Sequence, residues 1–274
     1  MGWACRHQYQ FKKAIKLLKT AYEKDTTNFK ITRLLANSYI KCGQSKKAIN
    51  LFEAKYKTDS SNRWLANKLA ELYYQTKSYP KSISIYQNLI QKDSSNYYYH
   101  KKLGNSLIKI DKKEKAKEAY FSALKINPND LSLYSKMGNL FIKTKDYRKA
   151  LKTANAGLEK DSSKAEFLTI AGYAHFKSGQ YDSASHYLSK SMKSGDSTKL
   201  RLKYTGLSYF KKQNPELSAN YLRKAYKKDT TDLQIIFFLG SALGKIGKAD
   251  EGLNYLFKSL EMIEPDKENL KSIN

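Results

Sequence analysis

A chain of 274 residues with 51 basic against 25 acidic side chains carries a net charge of +26, and no run in it reaches the ~18 apolar residues of a membrane-spanning helix. Cys5 and Cys42 are its only cysteines, too few for a disulfide framework or a zinc cluster, while 41% hydrophobic content suffices for continuous burial. The charge invites nucleic acid, an anionic surface or an acidic protein, yet only Arg6, Arg33, Arg63, Arg148, Arg201 and Arg223 carry the guanidinium fork that phosphate and base recognition favours.

The chain opens with the end of one helix, Trp3 to about His7, and a complete second helix, Gln10 to Lys24, which places Phe11, Ala14, Ile15, Leu18, Ala21 and Tyr22 on one face. Residues 1–28 therefore read as a partial unit. Seven helix pairs follow, at 29–62, 63–96, 97–130, 131–164, 165–198, 199–232 and 233–266. In the clearest, 97–130, the first helix aligns Tyr97, Leu103, Gly104, Leu107 and Ile108, and Ile110-Asp111 breaks the pattern. A second helix then aligns Ala116, Ala119, Tyr120, Ala123 and Leu124 and stops at Asn127-Pro128, where proline lacks the next donor. Gly43, Gly179, Gly247 and Asn214-Pro215 mark turns inside pairs. Connectors such as Asp25-Thr26-Thr27-Asn28 and Asp59-Ser60-Ser61-Asn62 offer Asp, Ser and Thr as expected caps of the following helix. Lys41, Lys109, Lys143, Lys177, Lys211 and Lys245 fall at first-helix C-termini, where they offset the macrodipole. Residues 267–274 read as the start of a further helix, with Ile273 on the leucine ladder. A chain that starts and stops inside helices is expected to belong to a longer array or to have an end covered by a partner.

Steps of 34 residues give Ala14, Ala48, Ser82, Ala116, Ala150, Ala184, Ser218 and Gly252, all small. A second register gives Gly2, Ala36, Ala70, Gly104, Gly138, Gly172, Gly206 and Gly240, again all small. Small side chains in both helices of each pair are what close crossing requires. Larger apolar ladders accompany them, at Leu18, Phe52, Tyr86, Tyr120, Leu188, Leu222 and Leu256, and at Tyr22, Tyr56, Ile90, Leu124, Leu158, Met192, Tyr226 and Leu260.

On these residues the chain resembles the tetratricopeptide repeat family over nearly its whole length. Leu103, Gly104, Ala116, Tyr120, Ala123 and Pro128 match that family's pattern, while Ser60, Ser94, Ser162, Asp196 and Thr230 replace the proline and Ala171 and Thr205 the leucine. The resemblance implies an all-α fold, a right-handed α-α superhelix of antiparallel helix pairs with a concave groove lined by first helices. A bacterial source is expected with the resemblance; separately, lysine over arginine with abundant Asn, Tyr and Ile points to an AT-rich genome.

The groove implied by the resemblance changes character along the chain. Arg33, Asn37, Asn67, Lys101 and Asn105 offer cations and amides, with Trp64 and Tyr98 beside them and Asn139 following; Tyr173, Phe176, Leu207, Phe210 and Phe237 offer apolar surface around Lys203. Arg33 with Asn37 and Lys101 with Asn105 resemble half of a carboxylate clamp, but Lys68 stands where its partner amide is expected. Trp64 and Phe237 are the candidate anchors. No catalytic, cofactor or metal site is expected: His7, His100, His175 and His186 match no ligand spacing, Asp182 with His186 reads as a surface pair, and the glycines do not cluster into a phosphate loop. The expected function is a non-catalytic scaffold that binds an extended or acidic protein segment. The alternative is a lysine-rich helical-repeat nucleic-acid binder.

Overall fold

The computed structural model describes residues 2–192 and 197–263, with side chains from residue 10 onward. Among them every regular element is an α-helix. The chain divides into two compact units, Met1–Pro128 and Asn129–Asn274. Unit 1 holds α1 (Gly2–Lys24), α2 (Phe29–Lys41), α3 (Ser45–Thr58), α4 (Arg63–Gln75), α5 (Tyr79–Lys92), α6 (Tyr97–Lys109) and α7 (Lys113–Ile126). Unit 2 holds α8 (Leu131–Lys143), α9 (Tyr147–Lys160), α10 (Ala165–Lys177), α11 (Tyr181–Ser191), α12 (Lys199–Lys211), α13 (Pro215–Tyr226), α14 (Leu233–Lys245) and α15 (Ala249–Ile263).

Even-numbered helices are the first of each pair, and local chemistry sets their starts. Asn28, Asn62 and Asn96 cap α2, α4 and α6 by accepting backbone N–H groups through their side chains, and Asp130, Thr198 and Asp232 do the same for α8, α12 and α14. The expected Asp caps of the early connectors are instead turn formers. Asp25 accepts from the Thr27 N–H and hydroxyl, and Asp93 from those of Ser95, because a short carboxylate reaches the residue two places on.

From α2 onward both small ladders lie in the core, while Ala14 is half-buried. Ala36, Ala70, Ala48, Ser82, Ala116, Ala150, Ala184 and Ser218 are fully buried. A Cβ on Gly104 would stand 2.5 Å from the Tyr120 ring, one on Gly172 2.6 Å from Leu188 and one on Gly206 2.6 Å from Leu222. Each glycine thus admits the large residue sixteen places later on its partner helix. The α8–α9 pair solves the contact differently. Ala154 replaces the large residue, and Ile170 of α10 comes within 2.9 Å of where a Gly138 Cβ would be. Leu260, expected on an apolar ladder, is 56% exposed on α15.

Turns inside pairs share one device that glycine alone does not reveal. Gly43, Lys77, Asp111, Lys145, Gly179, Gln213 and Gly247, each 34 residues from the next, all adopt positive φ between 58° and 79°. The same step backward from Gly43 reaches Tyr9, and there the expected turn is missing: α1 runs unbroken from Gly2 to Lys24. Bulky aromatic residues resist the left-handed conformation, so the helix continues. The further helix expected at 267–274 lies outside the described residues.

Candidate functional site

Within each unit the first helices pack side by side and form a wall. In unit 1 the Arg33 guanidinium sits 5.8 Å from the centre of the Trp64 ring, which packs edge-on against Phe29 and Phe52 and stays 37% exposed. Asn37 is exposed and Lys101 half-buried. The Asn67 and Asn105 carbonyls accept from the Tyr86 and Tyr120 hydroxyls at 3.4 and 2.9 Å, which leaves both amide NH2 groups as donors on the wall.

Glu71 is the centre of a network in this wall. Its carboxylate accepts from the Tyr98 hydroxyl and from Lys68 Nζ at 2.9 Å, with Lys102 Nζ at 3.7 Å. Burial alone would raise its pKa, but the bonds from Tyr98 and Lys68 and the two ammonium charges outweigh it, so the carboxyl titrates below the ordinary glutamate value of 4.5. Desolvation, and then the bond to Glu71, push the Tyr98 hydroxyl upward. Beside the network lies a cavity of about 150 Å³ lined by Glu71, Tyr74, Gln75, Tyr86, Lys102 and Asn105.

The wall of unit 2 is aromatic. Tyr173 and Phe176 pack edge-on against Tyr204, at 4.6 and 4.9 Å between ring centres, and Lys177 Nζ lies over both tyrosines at 5.5 and 5.7 Å. Phe210 packs on Phe238 at 5.0 Å beneath Lys245 Nζ, and Phe237, 49% exposed, packs edge-on against Phe238. Asn139 is exposed.

Two expectations for this wall are corrected. Lys203 is no open cation, because its Nζ lies 2.8 Å from both Asp232 carboxylate oxygens in a pair largely shielded from water. Leu207 belongs to the core, 3% exposed and packed with Ala219, Leu222 and Leu239. A further expectation fails elsewhere: Asp182 pairs with Lys212 Nζ at 2.8 Å, while His186 packs edge-on against Tyr187.

Sequence reasoning missed Lys102 and Arg201. Arg201 is 6% exposed and donates from Nε to the Thr169 hydroxyl at 2.8 Å, and the detectable signal was a cation on a ladder that otherwise holds Leu65, Leu133, Phe167 and Ile235.

Charge is distributed unevenly between helix types. The seven first helices carry two carboxylates, Glu71, engaged inside the wall, and Glu166, exposed and accepting from the Ser135 hydroxyl at 2.6 Å. The seven odd-numbered helices from α3 to α15 carry Glu53, Glu114, Glu118, Glu159, Asp182, Glu216, Asp250, Glu251 and Glu261. Among the described residues no group of three or more His, Cys, Asp or Glu side chains could hold a metal, and no helix is long and apolar enough to cross a membrane.

A period of 34 residues, small residues at each helix crossing and a wall of first helices define a helical-repeat protein. Sequence models described as tetratricopeptide repeat match residues 6–54, 98–130 and 135–190, and the chain belongs to that family. No curated protein sequence matches it significantly. Its fold is similar to a tetratricopeptide repeat protein from Parabacteroides merdae ATCC 43184, at TM-score 0.62 and 14% identity, with 93% of this chain and 96% of that one covered. YrrB, described as a TPR protein with an unusual peptide-binding site, aligns at TM-score 0.59 and 17% identity over 68% of this chain and 95% of its own. MamA protein aligns at TM-score 0.55 and 20% identity over 63% and 94%.

Proposed function

We propose that the chain is a non-catalytic protein-interaction scaffold whose first-helix wall holds an extended or acidic protein segment. In this reading residues 1–28 form a partial repeat, 29–266 seven repeats, and 267–274 the start of a further helix. The observation that carries it is the scarcity of carboxylates on the wall, Glu71 of unit 1 being engaged by Tyr98, Lys68 and Lys102, so an anionic segment meets little repulsion there. Membership of the repeat family and the peptide-binding description of YrrB support the same reading. In unit 1, Arg33, Lys101 and the donor amides of Asn67 and Asn105 are the groups for the acidic portion, with Trp64 as anchor. In unit 2, Tyr173, Phe176, Phe210 and Phe237 offer apolar contact.

The test is titration calorimetry with a synthetic Asp/Glu-rich peptide. Arg33→Glu with Lys101→Glu is expected to weaken binding at least about tenfold, since each reversal replaces an attraction with a repulsion. Unchanged affinity ends the reading. Nucleic acid is the competing ligand, favoured by the lysine excess. Against it, Arg201 is buried, so among the described residues Arg33 and Arg63 are the exposed arginines of the wall. Sub-micromolar RNA or DNA affinity at physiological salt, falling steeply as salt rises, would establish it instead.

A further inference from the structure

The two edges of unit 1 treat their lysines differently. At the connector edge, Lys55 Nζ donates to the Thr27 carbonyl at 2.7 Å, Lys92 Nζ to the Ser60 carbonyl at 3.0 Å, and Arg63 pairs with Asp93 at 3.3 Å. These bonds join each connector to its neighbour, so the connectors lie side by side along one edge and the turns inside the pairs occupy the other. There the chain places Lys41, Lys46, Lys77, Lys109, Lys112 and Lys115, all exposed and none with a side-chain hydrogen bond or ion pair among the described residues. The carboxylates nearby, Asp111 and Glu114, are engaged by Lys113 and Lys117 at 2.9 and 2.7 Å. The edge is therefore a band of unneutralised ammonium groups drawn from three successive helix pairs.

We propose that this edge docks on an anionic phospholipid bilayer, its lysines reaching the phosphate and carboxylate groups of the headgroups. Lysine ammonium groups are compact point charges suited to diffuse attraction toward such a surface. Features that would favour nucleic acid are missing from the edge among the described residues: from α2 to α7 it bears no arginine, and its rings Tyr74 and Tyr79 are packed edge-on against each other at 5.5 Å. Among the described residues no large exposed apolar side chain flanks these lysines, so the contact is electrostatic and reversed by salt. The surface is separate from the first-helix wall and does not depend on its ligand.

Co-sedimentation with vesicles of equal parts phosphatidylserine and phosphatidylcholine tests it. The chain is expected to pellet with them at low salt, to be released at high salt and to ignore pure phosphatidylcholine. Each lysine in reach adds about fivefold to the partition coefficient. Replacing Lys41, Lys46, Lys77, Lys109, Lys112 and Lys115 with Gln is expected to abolish pelleting with the helical circular dichroism unchanged. A charge-matched variant at Lys16, Lys19, Lys24, Lys30, Lys57 and Lys125 is expected to retain most of it. Equal loss in both variants would reduce the effect to net charge and overturn the proposal, as would failure of the unaltered chain to pellet. A fluorescent DNA duplex that stays bound at salt releasing the vesicles, and is lost in the first variant alone, would assign the edge to nucleic acid.

Discussion

In unit 1, Arg33, Asn37, Asn67 and Asn105 bring a cation and three amides to the first-helix wall, whereas the same two ladders in unit 2 bring Tyr173 and Phe237, joined by Phe176 and Phe210 from the ladder that holds Ile40, Tyr74 and Ile108 in unit 1. Cations follow suit. Arg33 is exposed beside a tryptophan, while Lys203, 170 residues along the same ladder, is bound to Asp232 and Lys177 and Lys245 lie on aromatic rings. Both walls nevertheless rest on one scaffold of buried small residues. The crossing of helices constrains what lies beneath a wall and leaves what it displays free to vary.

The most damaging way to break this comparison is to attack the shared scaffold in both units. Gly104→Val drives a side chain into the rigid Tyr120 ring, with a Cβ 2.5 Å from it, while Gly138→Val meets the two methyls of Ile170 at 2.9 and 3.1 Å, a looser contact with a more flexible side chain. Losses of about 3 and about 1 kcal/mol respectively are expected from urea unfolding midpoints, and equal losses would show that the two crossings are packed alike. Next in size is the cation ladder. Lys203→Ala removes the nearest cation from the shielded Asp232 carboxylate, leaving it Lys199 Nζ at 3.9 Å and the Ile235 N–H, and is expected to cost about 2 kcal/mol, whereas Arg33→Ala, at an exposed position, stays within about 0.5. Thermal unfolding of the two variants reads the difference directly.

The smallest effect sharpens the contrast through pH. Glu71 titrates below 4.5 when folded, so its contribution is complete above the unfolded value and is lost as pH falls through the folded one. Stability measured across that acid range is expected to fall less steeply in Glu71→Gln. An unaltered slope would mean that Tyr98, Lys68 and Lys102 contribute nothing through this carboxylate.

Helix pairing could be read from the letters because side-chain size recurs wherever backbones must approach, as at Gly104 and Ala116. The wall was less legible. Lys203 looked available because its partner lies 29 residues away at the start of the next first helix. Leu207 looked displayed because its ladder includes the exposed Asn37 and the half-buried Tyr173, yet α14 lays Leu239 over it. Arg201 was visible as a break in an apolar ladder and went unused. The missing first turn needed the φ angles themselves, since Tyr9 is an unremarkable letter until the neighbouring corners prove to be left-handed.

Those corners give the hairpins unequal stiffness. Lys77, Asp111, Lys145 and Gln213 hold a conformation that costs a side-chain-bearing residue on the order of 1 kcal/mol, while Gly43, Gly179 and Gly247 hold it without that strain. Opening a hairpin with a loaded corner releases strain, whereas opening a glycine-cornered one returns more backbone freedom, so the corner sets what each clasp gains by yielding under tension.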